Sequence, residues 1–120
     1  MSIFETSAGK LVGPTTGGTV TQATSKSTGV TLNKASGQIT MHAANLAAAT
    51  EVSFAVTNSE IAATDVVLVN HGYSGTAGSY LVQANTIAAG SFAITVTNVS
   101  GGTLGEAIVL NFVAFKGSSS

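Results

Sequence analysis

From Thr19 onward the chain alternates between two kinds of side chain. In Glu51–Thr57, Val52, Phe54 and Val56 fall on one side and small or polar residues on the other. Ser91–Thr97 repeats the pattern with Phe92, Ile94 and Val96. Shorter alternations run through 19–23, 29–33, 37–41 and 80–84. Successive side chains leave a strand on opposite faces, so period two marks half-buried β-strands. The abundant Thr and Val are stiff at Cβ and suit a pleated surface. Two runs break the alternation by being apolar on both faces: Val66–Val69, and Ala107–Phe115 with Asn111 inside it. Such strands are covered on both sides. In a sandwich the second cover is often another subunit.

Turn signals separate these runs: 33–37, Asn58-Ser59, Asn70-His71-Gly72, Gly75 to Gly78, Ala89-Gly90 and Gly101-Gly102. About eight short strands at close spacing predict an all-β fold, a single antiparallel β-sandwich of jelly-roll-like type. The alanine-rich stretch 43–49 is too short to be a stable helix and reads as a loop or single turn. Residues 59–63 read as a bulge or short turn. A chain of 120 residues makes one domain. The expected organisation is an extended N-terminal arm (1–17), a sandwich domain (18–116) and a flexible tail (117–120). The arm holds the only proline, Pro14, and ends at Gly17-Gly18. Its apolar residues Phe4, Leu11 and Val12 are candidates for anchoring on a neighbouring subunit.

Charge narrows the function classes. Only 8% of residues are charged, against about 25% in an ordinary soluble domain. The cations are Lys10, Lys26, Lys34 and Lys116, and there is no arginine. The surface must then consist mainly of Ser, Thr, Asn, Gly and Ala, which desolvate easily. Near-zero net charge favours association, so a homo-oligomer is expected. Candidate contact residues are Phe4, Leu11 and Val12 in the arm, with Val109, Val113 and Phe115 on the strand that is apolar on both faces. Four scattered lysines make no basic groove, so nucleic acid is not an expected partner. Cysteine is absent, which removes disulfides, thiolate zinc sites and thiol nucleophiles. The start Met1-Ser2-Ile3-Phe4-Glu5 lacks the basic and apolar regions of a signal peptide. No apolar run approaches the ~20 residues of a membrane helix. The expected setting is synthesis in a cytoplasm, without a membrane.

Few residues invite chemistry. His71-Gly72-Tyr73-Ser74-Gly75-Thr76 loosely resembles a nucleophile elbow. Thr76 stands where the second glycine belongs, and no helix is expected after it. His42 and His71 have no chelating partners at strand or helix spacing, so no metal is expected and both read as hydrogen-bonding loop residues. Glu60 and Asp65 flank an alanine-rich turn, where carboxylates cap turns more often than they catalyse. There is no phosphate-binding loop or dinucleotide fingerprint. The reading is a non-enzyme without cofactors.

Four pieces of the chain carry a resemblance. They are Gly18–Gln22 with Ser25–Asn33, Gly37–Met41, Val52-Ser53-Phe54 with Thr57-Asn58-Ser59, and Ile94–Phe112. Over roughly four-fifths of its length the chain resembles small virion proteins of tailed bacteriophages. The resemblance implies a β-sandwich that serves as a head decoration (cement) protein, with a head- or tail-fibre or receptor-binding module as the alternative. It implies trimers, the major capsid protein as partner, and a place on the capsid surface after assembly in the bacterial cytoplasm. It carries no catalytic residues. Its most recognisable element is an expected hairpin around Glu106, with Asn98 and Gly101-Gly102 at the turn. Strand 91–97 would then pair with 107–115.

Overall fold

A computed structural model describes residues 17–117. These residues form a β-sandwich of eight strands: β1 Gly17–Thr21, β2 Val30–Thr31, β3 Ser36–Thr40, β4 Glu51–Thr57, β5 Val66–Tyr73, β6 Tyr80–Ala88, β7 Ser91–Asn98 and β8 Val109–Phe115. Among the described residues there is no helix. Sheet A has the order β1-β3-β8-β5 and sheet B the order β2-β4-β7-β6. The central ladders are antiparallel, while the outer pairs β1–β3 and β2–β4 are parallel.

The alternation decides which side chains enter the core. Phe54 and Val56 of β4, Phe92, Ile94 and Val96 of β7, Ile39 of β3, and Leu110, Phe112 and Ala114 of β8 are all buried in one cluster. Phe92 and Phe112 meet across the two sheets, with ring centroids 5.5 Å apart. Burying each such side chain is worth about 1.5–3 kcal/mol. The stretch 43–49 is a loop, pinned where Leu46 bridges Leu104.

The hairpin expected around Glu106 does not form. β7 pairs with β4 and β6, and β8 pairs with β3 and β5. Residues 99–108 instead cross from one sheet to the other. Phe92, Ile94 and Val96 therefore face β8 through the core rather than lie beside it. Hairpin loops are usually two to five residues, and this connection is longer. Asn98 does organise its start, as the sequence suggests. Its Nδ2 donates to Leu46 O at 2.8 Å and Gly102 O at 2.9 Å, and its Oδ1 accepts from the Ser100 N–H.

Two strands run further than their apolar cores suggest. β5 continues through His71 and Gly72 by a bulge before Tyr73, and β6 continues past Asn85 by a second irregularity at Thr86, where φ is +54°. β5 and β6 are the free edges of their sheets on the same side of the sandwich. Residues 74–79 connect them.

Candidate interaction surface

The register fixes what each sheet shows to the outside. On sheet A the outward positions are Gly17, Thr19 and Thr21, then Ser36, Gln38 and Thr40, then the odd positions of β8, and Val66, Leu68, Asn70 and Tyr73 of β5. No charged residue is among them. The half formed by β5 and β8 is apolar. Val66 and Leu68 are 53% and 55% exposed, and Val113 and Phe115 are half-buried beside them.

A groove of about 480 Å³ lies on this half, lined by Leu68, Val69, Asn70, Asn111, Phe112 and Val113. Leu68 faces Val113 and Asn70 faces Asn111 in adjacent rows. Among the described residues neither Asn70 nor Asn111 has a side-chain hydrogen-bond partner. The floor thus offers two amides, each able to donate and accept, between two aliphatic walls. Gly72 is needed here, because a Cβ on it would run into the Asn111 amide.

The candidate contact residues divide accordingly. Val113 and Phe115 lie on the outer face. Val109 points to the same side but is only 5% exposed, so it is buried within the subunit and unavailable to a neighbour. Phe4, Leu11 and Val12 lie outside the described residues. Val66, Leu68 and Tyr73 belong to the face but were not candidates. For Val66 and Leu68 the signal was the run Val66–Val69, whose outward half is left exposed among the described residues.

The residues that invited chemistry hold loops in place. The Glu106 carboxylate accepts from the Thr76 N–H at 3.0 Å, the Thr76 hydroxyl at 2.8 Å and the Tyr80 hydroxyl at 2.7 Å. The Tyr80 hydroxyl bond, followed by those from Thr76, holds the Glu106 carboxyl below its ordinary range. Burial and this carboxylate push the Tyr80 hydroxyl up, so it remains a donor. His71 stands edge-on to Tyr80, with ring centroids 5.4 Å apart, and its Nε2 bonds Ser74 O. Ser74 and Gly75 both have positive φ. His71 is thus a residue of strand β5 and not of a loop, and the turn that begins at Ser74 is clamped between two sheet edges. His42 accepts the Ala44 N–H on Nδ1 at 3.0 Å. Asp65 caps a turn by accepting the Ala62 N–H at 2.9 Å, and it pairs with Lys116 at 3.0 Å. Among the described residues no three His, Cys, Asp or Glu gather as metal ligands.

Comparison with family models, with curated proteins and with solved structures found no match.

One buried cation was not foreseen. Lys26 is almost wholly enclosed, and its Nζ donates to Glu106 O at 2.6 Å and to His42 O. Burial pulls its ammonium below the ordinary value, with the Glu106 charge opposing. Gln22 closes the same loop, donating to Lys26 O and Thr28 O and accepting from the His42 N–H, each at 3.0 Å. These contacts tie the 22–28 loop to the crossing segment beside Glu106. They serve the fold and leave the outer face of sheet A as the surface best suited to a partner.

Proposed function

We propose that this chain is a non-enzymatic virion structural protein of a tailed bacteriophage. On this reading it is a decoration (cement) protein that binds the outside of the head and stabilises capsomer contacts. Its partners are the major capsid protein and further copies of itself, as a trimer. It assembles on the capsid surface in the bacterial cytoplasm and uses no cofactor.

The observation that carries the reading is the outer face of sheet A. It has no charge, exposes Val66 and Leu68, and shows half-buried Val113 and Phe115 beside unpartnered amides. An apolar patch rimmed by polar residues marks an interaction surface. A chain with 8% charged residues is suited to a permanent neighbour more than to a solvated monomeric life. The sequence resemblance supplies the kind of neighbour. Val113 and Phe115, with Phe4, Leu11 and Val12 of the arm, make the contacts.

The test compares phage heads with and without the protein. Stripped heads should lose resistance to heat and low salt and regain it when purified protein is added back. Equal robustness overturns the cement role. Electron cryomicroscopy of the particle then locates the protein, and density confined to a fibre or tail would favour the receptor-binding alternative.

A further inference from the structure

We infer that two copies of this chain pair edge to edge through β5, antiparallel across a two-fold axis, with Val67 opposite Val69 of the second copy and Leu68 opposite Leu68. The inference concerns the free protein and rests on the backbone of β5, not on the virion reading. It leaves the β1 edge and most of the outer face of sheet A for contacts made on a head.

The bonds around β8 show which groups β5 leaves open. Met41 N donates to Ile108 O and Ala114 N donates to Ala35 O, both at 2.8 Å. Successive residues of an antiparallel strand direct their N–H and C=O to opposite neighbours. The even positions of β8 therefore bond towards β3 and the odd positions towards β5. Val113 and Asn111 face Leu68 and Asn70, so the even residues of β5 spend their N–H and C=O on β8. Those of Val67 and Val69 point away from it, along the open edge of sheet A. Neither has a backbone partner on that side among the described residues. His71, the next residue in the row, stands against the Tyr80 ring, so Val67 and Val69 are the two accessible rungs.

A row of free N–H and C=O groups is a template for another strand. Native sheets guard such edges with lysine, proline, inward charges, bulges or very short strands. β5 has eight residues and holds no Lys, Pro, Asp or Glu, and its one bulge comes after His71. By contrast, β2 has two residues, and β6 is bent at Thr86, where φ is +54°.

A second β5 fits this edge. The two-fold brings matching donors and acceptors together: Val67 and Val69 of one copy exchange both N–H···O bonds with Val69 and Val67 of the other. This register sets Leu68 against its own counterpart at the non-hydrogen-bonded position, where side chains come closest. Leu68 is 55% exposed and Val66 is 53% exposed in the single subunit. Pairing covers the first and places the second beside Asn70 of the other copy. β5 carries no charge and the whole chain only −1, so little repulsion opposes the approach. One strand a side buries less than the ~1,600 Å² of a standard interface, so the dimer is reversible.

Sedimentation of the full-length chain at ~100 μM should show a dimer in exchange with monomer. Leu68→Lys sets two like charges opposite each other and should weaken it at least ~10-fold. Val113→Lys, on the same outer face but one strand further in, should leave it within ~2-fold. A monomer or a trimer in free solution would overturn the proposal. Equal losses from the two variants would assign the contact to the face and overturn it too. The chain has no native cysteine, so cross-linking reads the register. Val99 is 53% exposed, close to Leu68, and serves as the control. Under mild oxidation Leu68→Cys should give covalent dimers at least ~10-fold faster than Val99→Cys, since opposed non-hydrogen-bonded residues lie within disulfide reach. Equal rates would overturn the pairing.

Discussion

The two outer faces of this sandwich are built by the same strand pattern and end up chemically opposite. Sheet B shows Glu51, Ser53, Ala55 and Thr57 of β4, Thr95 and Thr97 of β7, and Gln83 and Asn85 of β6. At its centre three polar side chains satisfy one another: Ser53 and Thr95 share a hydrogen bond of 2.7 Å, and Asn85 donates to Thr95 at 3.0 Å. Among the described residues Leu81 is the one large aliphatic side chain exposed on it. Sheet A, on its β5–β8 half, shows Val66, Leu68, Val113 and Phe115 around amides that bond nothing described. A mostly polar face with a bonded centre has little apolar area for a partner to bury. A face with bare aliphatic area and open amides gains from both.

The largest expected effect breaks this contrast directly. Leu68→Glu with Val113→Glu should abolish binding to stripped heads, at least ~100-fold in Kd, because two charges would be desolvated at the contact. Ser53→Glu on sheet B should change it less than ~3-fold. Equal losses from both faces would remove sheet A as the contact surface. Circular dichroism should show both variants folded, since every altered position points outward. Stability should split differently along β8. Leu110→Ala, inside the core, should cost about 2–5 kcal/mol in urea unfolding, while its outward neighbour Val113→Ala should cost under ~1 kcal/mol.

The core was readable because burial follows a local rule. Val52-Phe54-Val56 and Phe92-Ile94-Val96 announce their faces within seven residues each, and the structure turns all six to the core, burying all but Val52, which is half-buried against it. Partnership between strands follows no such rule. β7 and β8 read as a hairpin because they are consecutive, yet each is already flanked by two other strands. The contact face was half legible. Ala107–Phe115 is visibly apolar on both sides, but whether an outward valine is covered depends on its neighbours: Val109 is buried and Val66 is not. Lys26 was illegible for the same reason. Lysines usually sit in water, and the carbonyls that receive this one come from His42 and Glu106, 16 and 80 positions away.

That buried lysine gives the next prediction, of intermediate size. Lys26→Met keeps the stem but leaves the His42 and Glu106 carbonyls without their donor, at a cost of about 2 kcal/mol. Melting should show the loss, while head binding by the folded fraction should persist, since Lys26 is on neither outer face. Thr95→Val on sheet B should be smaller, about 1 kcal/mol, because Thr95 itself is buried but Ser53 and Asn85, which lose their shared partner, stay open to water. A Thr95→Val loss as large as that of Leu110→Ala would mean that the polar face carries the fold as much as the core does.

The smallest effect is local and concerns the turn that joins the two faces. Residues 74–79 link edge β5 of sheet A to edge β6 of sheet B, and the Glu106 carboxylate holds them through Tyr80 and Thr76. Those bonds lower its pKa from the ordinary 4.5. A carboxyl depressed in the folded state contributes fully above its unfolded value and loses that contribution as pH falls through the folded value. The clamp should therefore be intact above about pH 4.5 and release at lower pH. Hydrogen exchange should show the Thr76 amide losing protection on acidification while the amides of β7 keep theirs. Glu106→Gln should blunt that pH dependence at Thr76 without moving the core. If acid instead opened β5 and β6 together with the turn, the two faces would not be separable units, and their contrasting chemistry would have to be tested as one surface.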